Sequence, residues 1–145
     1  MRAGPGAMME MGRTVAGIET GRVALAVRDV HVSTRFYVDG LGFHVEQLFE
    51  DPPYATLSLG ALRLSLTQSG STVPDVQGVR LEVGAEEQSS AAMVVLEVAD
   101  ARAAFRILAD RGVPIRSDPW EPPWGGCRFF FSDPDGYLVE VEQVA

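Results

Sequence analysis

Apolar and polar residues alternate along several short stretches of the chain, and this period of two predicts β-strands. The first predicted strand covers residues 23–27, where valine and leucine alternate with alanine. A second covers residues 43–49. Residues 54–59 and 62–67 flank Gly60 and carry leucines on alternate positions, which predicts a hairpin.

A helical pattern separates the first two predicted strands. Asp29 is a residue type that often caps helix N-termini, and Val32 and Phe36 then share one helical face. Gly40 and Gly42 follow and predict the end of this helix.

The same pattern returns further along the chain. An apolar strand at 93–98 is followed by a helix that starts at Asp100 and ends before Gly112. A shift of 71 positions places Asp29 on Asp100. This internal repeat predicts two copies of a β-α-β-β-β unit, joined by a polar linker at about residues 71–90.

The length of 145 residues predicts one folded domain, and the hydrophobic fraction of 46% is typical of a globular protein. We expect residues 1–20 to form a poorly ordered tail and residues 21–145 to form the domain. Its two modules are expected at about 21–70 and 91–145.

Charge and cysteine content exclude several classes of function. The formal net charge of −8 argues against nucleic acid as a partner, because phosphate binding requires clustered Lys and Arg. The chain has neither a signal-peptide core nor an apolar run long enough for a membrane span. Cys127 is the one cysteine, so no internal disulfide can form, and we expect a cytoplasmic protein without a membrane partner.

Several motifs accompany the repeat in a fixed order. They are Phe36-Tyr37, Leu41-Gly42-Phe43, Pro123-Trp124-Gly125, Asp133-Pro134-Asp135-Gly136, and Glu140 four residues after that last glycine. In this order and spacing they resemble the vicinal-oxygen-chelate superfamily, which includes glyoxalases, bleomycin-resistance proteins and extradiol dioxygenases. The resemblance covers roughly residues 22–143.

The resemblance implies an α+β fold in which two βαβββ modules form a cup-shaped half-barrel, the glyoxalase/bleomycin resistance fold, in a homodimer. Metal-dependent members place their ligands on the first and last strands of the modules, facing into the cup. Carried over to this chain, these positions are Arg22, Met93, Glu140 and Ser65, the last with Leu64 as the alternative register.

This ligand set does not suit a metal. Arg22 cannot lose its proton, and the Met93 thioether is a poor ligand for hard divalent ions. Glu140 alone cannot hold a catalytic ion, which typically needs about three protein ligands. We therefore expect no metal and no cofactor. We also expect Arg22 and Glu140 to form an ion pair where the metal would lie.

Strand alternation and the resemblance together indicate which residues face the cup. The predicted ligand-binding residues are Arg22, Ser65, Met93, Glu97, Trp120, Trp124, Arg128, Phe130 and Glu140. Trp120 and Trp124 form either an aromatic wall or simple loop packing. Phe49 and Tyr54 are expected to serve core or dimer packing rather than that wall.

Three functions remain open. The first is metal-independent binding of a small, partly aromatic molecule, as in drug sequestration by bleomycin-resistance proteins. The second is a metal-independent isomerase, cyclase or lyase, with Glu140 as the catalytic general base and Arg22 or Arg128 stabilising an oxyanion. A weaker third is a metal-dependent enzyme of the glyoxalase or dioxygenase type that uses His44 with Glu46.

Overall fold

The computed structural model describes residues 17–84 and 91–145. Most of the predicted N-terminal tail, residues 1–16, lies outside the described residues, as does the part of the predicted linker at 85–90. Within the described ranges, no helix is long and apolar enough to cross a membrane.

The first module has one helix and a four-stranded sheet. Its elements are β1 (Val23–Val27), α1 (Val30–Arg35, continued by a π-helical turn over Phe36–Gly40), β2 (His44–Glu50), β3 (Pro53–Leu59) and β4 (Leu62–Gln68). The strand order is β1-β4-β3-β2, with β1 parallel to β4 and the other neighbours antiparallel. The helix and hairpin predicted from the sequence are therefore present.

The second module follows a small hairpin of β5 (Ser71–Thr72) and β6 (Arg80–Leu81). Its elements are β7 (Val94–Glu97), α2 (Ala101–Asp110), β8 (Cys127–Ser132) and β9 (Leu138–Gln143), with strand order β7-β9-β8. The strand expected after α2 is reduced to isolated bridges of Ile115 with Phe131 and of Trp120 with Arg128. Proline lacks the N–H that a β-ladder needs, and Pro114 and Pro119 interrupt this segment.

The two helices begin in the same way, as the repeat predicts. The Asp29 carboxylate accepts hydrogen bonds from the backbone N–H groups of His31 and Val32, at 2.9 and 3.1 Å. The Asp100 carboxylate accepts one from the backbone N–H of Ala103, at 3.0 Å. Both aspartates therefore satisfy N–H groups that have no partner within the first helical turn.

Strand alternation divides each sheet into a helix-covered face and an open face. The covered faces contribute the core, which includes Leu25, Val27, Leu57, Leu64 and Leu66 in the first module and Phe129, Phe131, Val139 and Val141 in the second. On the open face of the first sheet, Ser65 lies between Ala24 and Thr56. On that of the second, Glu140 lies between Val95 and Phe130. The α+β fold of paired modules is thus confirmed.

The turn between β8 and β9 joins the two modules. The Asp135 carboxylate accepts hydrogen bonds from the backbone N–H of Arg28 and the hydroxyl of Ser33, at 2.8 and 3.1 Å. The Tyr37 hydroxyl donates to the Asp133 carboxylate at 2.8 Å. Asp133, Asp135, Ser33 and Tyr37 are all buried. The Asp-Pro-Asp-Gly motif is therefore a structural contact between the modules.

Apolar contacts between the modules also come from the helix-covered sides. Phe36, in the turn that continues α1, packs against the core of the second module, with its ring centre 6.1 Å from that of Phe131. Tyr137 packs against the core of the first module and donates its hydroxyl to the backbone carbonyl of Ala26 at 2.7 Å. The modules are thus joined through their covered sides, which leaves the open faces accessible.

Candidate functional site

The open face of the second module exposes large apolar side chains. Trp124 is 69% exposed, Trp120 47%, Met93 47% and Val95 41%. Single exposed apolar residues are common on protein surfaces, but four from one module are typical of a binding surface.

The aromatic side chains of this face surround one cation. The guanidinium carbon of Arg128 lies 5.2 Å from the ring centre of Trp120, 5.5 Å from that of Trp124 and 5.2 Å from that of Phe130. The two indoles are 5.7 Å apart and nearly perpendicular, at 85°. Each ring is within the range in which a cation is attracted to an aromatic face. We call this group, Trp120, Trp124, Arg128 and Phe130, the aromatic cluster.

Backbone contacts hold the tryptophan loop in place. The N–H and C=O of Trp120 both bond to the backbone of Arg128, at 2.9 Å each. Gly126 has a φ of +81°, and a Cβ added there would lie 2.4 Å from the carbonyl oxygen of Gln143. Only glycine lets the loop approach β9 this closely. The loop is therefore fixed against the sheet on both sides of Trp124.

Arg128 has few polar partners in its cluster. Its Nη1 atom lies 3.8 Å from the Glu140 carboxylate, which makes a loose ion pair. Its Nε atom is buried and has no hydrogen-bond partner. Glu140 is only 6% exposed. The Arg128 side chain is 31% exposed, so its terminal nitrogens, unlike the buried Nε, can bond an acceptor oxygen of a ligand.

Arg22 lies on the open face of the other sheet. Its Nε donates to the Ser65 hydroxyl, and its Nη2 donates to the Tyr54 hydroxyl at 3.2 Å. The Tyr54 and Ser65 hydroxyls are 3.0 Å apart and hydrogen-bonded. These three residues, called the Arg22 triad, form a closed set of hydrogen bonds. Ser65, and not Leu64, therefore occupies the open-face position.

The predicted ion pair between Arg22 and Glu140 is wrong within one chain. Arg22 has no carboxylate within 4 Å among the described residues, and Glu140 pairs with Arg128. The reason is topological: the two residues belong to different sheets, and their modules meet through the helix-covered sides. Tyr54, expected to serve packing, supplies a polar group to the site in addition to its ring contact with Phe49.

The Arg22 triad carries positive potential. Burial raises the pKa of Tyr54, but its hydrogen bond to Ser65, the one it accepts from Arg22 and the charge of Arg22 outweigh burial, so its pKa is lowered overall. The pKa of nearby Glu46 is lowered mainly by its hydrogen bonds from Arg63, with a smaller contribution from Arg22. The charge of Arg22 therefore contributes to lowering the pKa of both neighbouring groups.

The residues at the positions where the resemblance places metal ligands do not fit a divalent ion. The guanidinium of Arg22 occupies the first of these positions and is anchored by two hydroxyls. Across the described residues, no three His, Cys, Asp or Glu side chains come together in a way that could hold a metal. Of the proposed pair of His44 and Glu46, Glu46 is bonded to Arg63 at 2.9 Å.

The remaining predicted site residues lie on or beside β7. Glu97 is the cross-strand neighbour of Glu142 on the same face that carries Glu140. Met93 lines an open cleft of about 470 Å³ together with Val23 and Val83. The structure thus places one set of predicted residues around Arg128 and another around Arg22, while Met93 lies in a cleft that residues of both modules line.

The sequence profile of the Glyoxalase/Bleomycin resistance protein/Dioxygenase superfamily matches residues 20–141. The chain belongs to this superfamily. It is 26% identical over 124 residues to the uncharacterized protein YraH of Bacillus subtilis (strain 168), a match that covers 85% of this chain and 96% of YraH.

Solved structures of other proteins superimpose on this fold. TnmS3, an antibiotic binding protein from Streptomyces sp. CB03234, superimposes with a TM-score of 0.66 at 21% identity, covering 89% of this chain and 98% of TnmS3. A glyoxalase/bleomycin resistance protein/dioxygenase from Nocardioides gives a TM-score of 0.69 at 23% identity, with coverage of 95% and 90%. At these identities the superfamily members establish the fold of this chain.

Proposed function

We propose that this protein binds a small, partly aromatic molecule without a metal, in the manner of drug sequestration by bleomycin-resistance proteins. The observation that carries the proposal is the aromatic cluster, in which two exposed indoles and Phe130 surround Arg128 on an open sheet face. Flat aromatic surfaces suit stacking of planar ligands, and convergent polar groups fix their orientation.

Two further observations support this proposal. The donor set of this chain does not suit the divalent ion that metal-dependent members of the superfamily use. In addition, the structurally similar TnmS3 is an antibiotic binding protein. A ligand that stacks on the indoles and bonds to the exposed terminal nitrogens of Arg128 would use both properties of the cluster.

We further propose that a second copy of the chain completes the binding cup. The contacts between modules come from their helix-covered sides, so neither open face is covered by the other module among residues 17–84 and 91–145. Exposed apolar residues occur on both sheets, with Phe49 48% exposed on β2 and Trp124 69% exposed beside β8. Light scattering should give twice the chain mass of 15.7 kDa, and a monomer at all concentrations would contradict the second copy.

Tryptophan fluorescence provides a direct test of binding, because Trp120 and Trp124 are the two tryptophans in the chain and both lie in the cluster. We expect the uncharged planar probe xanthone carboxamide to quench their emission to saturation. Trp124→Ala should weaken binding about tenfold, since a stacked aromatic contact and its buried area are worth roughly 1–2 kcal/mol.

Val32→Ala is the matched control, because Val32 is an exposed apolar residue on α1, on the helix side of its sheet. Its affinity for the probe should equal that of the wild type. Absence of saturable quenching in the wild type, or equal affinities for wild type and Trp124→Ala, would contradict a ligand site at the cluster.

The second candidate function is metal-independent catalysis with Glu140 as general base. The observation that favours it is the burial of Glu140 with one loose partner, which leaves its carboxylate oxygens available to a ligand. Mass spectrometry of small molecules that co-purify with the protein separates the two functions. A molecule recovered unchanged supports binding, whereas a product formed by the wild type and not by Glu140→Gln supports catalysis.

A further inference from the structure

The Arg22 triad has unused hydrogen-bonding capacity. One edge of the guanidinium, formed by Nε and Nη2, is held by Ser65 and Tyr54. The Nη1 atom has no partner among the described residues, and no carboxylate of that set lies within 4 Å of Arg22. The guanidinium is therefore fixed in orientation while its outer edge stays free.

The surroundings do not neutralise this charge. Glu46, whose pKa the charge of Arg22 helps to lower, is bound by Arg63 through both carboxylate oxygens, at 2.9 to 3.3 Å. Among the described residues, Arg22 therefore has no carboxylate partner. An unpaired and pre-oriented arginine on an open face is suited to a planar anion, because its fork of N–H donors matches the two oxygens of a carboxylate.

We propose that Arg22 binds a carboxylate group of the ligand, and that Tyr54 is a positioning residue that holds the guanidinium for this contact. The inference rests on the proposed function and its second copy, and deepens it: the aromatic part of the ligand stacks on the cluster of one copy, and its acidic group bonds to Arg22 of the other copy, because the two groups lie on different sheets of one chain. The ligand class is thus a planar aromatic carboxylic acid. Ser65 anchors the inner edge of the guanidinium from its buried position on β4.

The matched probes xanthone carboxylate and xanthone carboxamide test this inference by titration calorimetry. They share the planar rings and differ in charge, so their affinity ratio isolates recognition of the acid. We expect the wild type to bind the carboxylate about tenfold more tightly than the amide, because a hydrogen bond to a charged group strengthens binding by about that factor. Arg22→Met should abolish that ratio, because the carboxylate loses its charged partner.

Two variants complete the test. Tyr54→Phe should lower the acid-to-amide ratio about threefold, because Nη2 loses its anchor and less of the guanidinium population is correctly oriented. A purely structural role for Tyr54 would change both affinities alike. Arg106→Met removes the same charge from the exposed face of α2 and should keep the full ratio, which controls for long-range electrostatics.

The outcomes separate this inference from the function on which it rests. If the wild type binds both probes equally, or if Arg22→Met keeps the tenfold ratio, acid recognition by Arg22 is refuted while aromatic binding stands. If neither probe binds, the proposed function and this inference are both refuted. A lost ratio in Arg22→Met together with a retained ratio in Arg106→Met supports the inference.

Discussion

Removing the Asp135 carboxylate tests the polar contact that joins the two modules. In Asp135→Ala, the backbone N–H of Arg28 and the hydroxyl of Ser33 lose their acceptor. The Asp135 side chain is 2% exposed, so solvent does not readily replace it. Each buried group left without a partner costs roughly 1–3 kcal/mol, which gives an expected loss of about 3 kcal/mol in the free energy of unfolding.

The ion pair of Asp135 with Arg28 adds little to this loss. The Nη1 atom lies 3.4 Å from the carboxylate, but the Arg28 side chain is 57% exposed and solvent screens the interaction. A loss of about 3 kcal/mol is nevertheless a large part of the 5–15 kcal/mol that stabilises a typical domain. Urea denaturation followed by far-UV circular dichroism should therefore show a clearly lower midpoint with an unchanged slope.

A double-mutant cycle with Ser33→Ala identifies the contact responsible. Because the two side chains share one hydrogen bond, the double variant should lose about 1 kcal/mol less than the sum of the single losses. Asp118→Ala, at an exposed loop position, is the control and should change stability by less than about 0.5 kcal/mol. A loss below about 1 kcal/mol for Asp135→Ala, with additive single effects, would refute this account of the turn.

Three further predictions concern titration, the tryptophan loop and metal ions. The pKa of Asp133 is raised in the folded protein, mainly by burial. Its contribution to the free energy of unfolding is therefore greatest below its unfolded pKa of 3.8 and is lost as pH rises through its folded pKa. Urea titrations measure the free energy of unfolding, and its difference between the wild type and Asp133→Asn should therefore fall as pH rises from about 3 and then level off. A difference that increases with pH would contradict the raised pKa of Asp133. Gly126→Ala should weaken binding of xanthone carboxamide several-fold without unfolding the protein. The new Cβ would overlap the carbonyl of Gln143 and displace the tryptophan loop. Unchanged affinity would show that the position of this loop does not affect binding. Zinc, manganese and nickel ions should leave the melting temperature within about 1 °C of the metal-free value, and a saturable rise would reveal a ligand set that spans two chains.

Local patterns were sufficient to predict most of the fold. The helix caps at Asp29 and Asp100 depend only on neighbouring residues, so the sequence predicts them directly. The alternation of apolar and polar residues follows from strand geometry, so it predicts the strands in the same way. The reduced strand after α2 was missed because the predicted repeat transferred a full strand to a segment that Pro114 and Pro119 interrupt.

The partners within the candidate site could not be predicted in the same way. Tyr54 contacts Arg22 because β3 and β4 pair in a register that brings Tyr54 close to Ser65, and a register is a property of the folded sheet. The predicted ion pair of Arg22 with Glu140 was wrong for the same reason. The alternation of residues along a strand indicates which face of the sheet each residue occupies, but not which faces of the two sheets lie together.

The internal repeat explains how one small domain presents two kinds of chemistry. Arg22 and Met93 occupy equivalent positions in the two modules, yet one is a cation held by hydroxyls and the other is an exposed thioether. The polar contacts lie around Arg22, while the indoles lie around Arg128. A ligand with an acidic end and an aromatic body would match both groups, its acid the cation of Arg22 and its rings the indoles around Arg128.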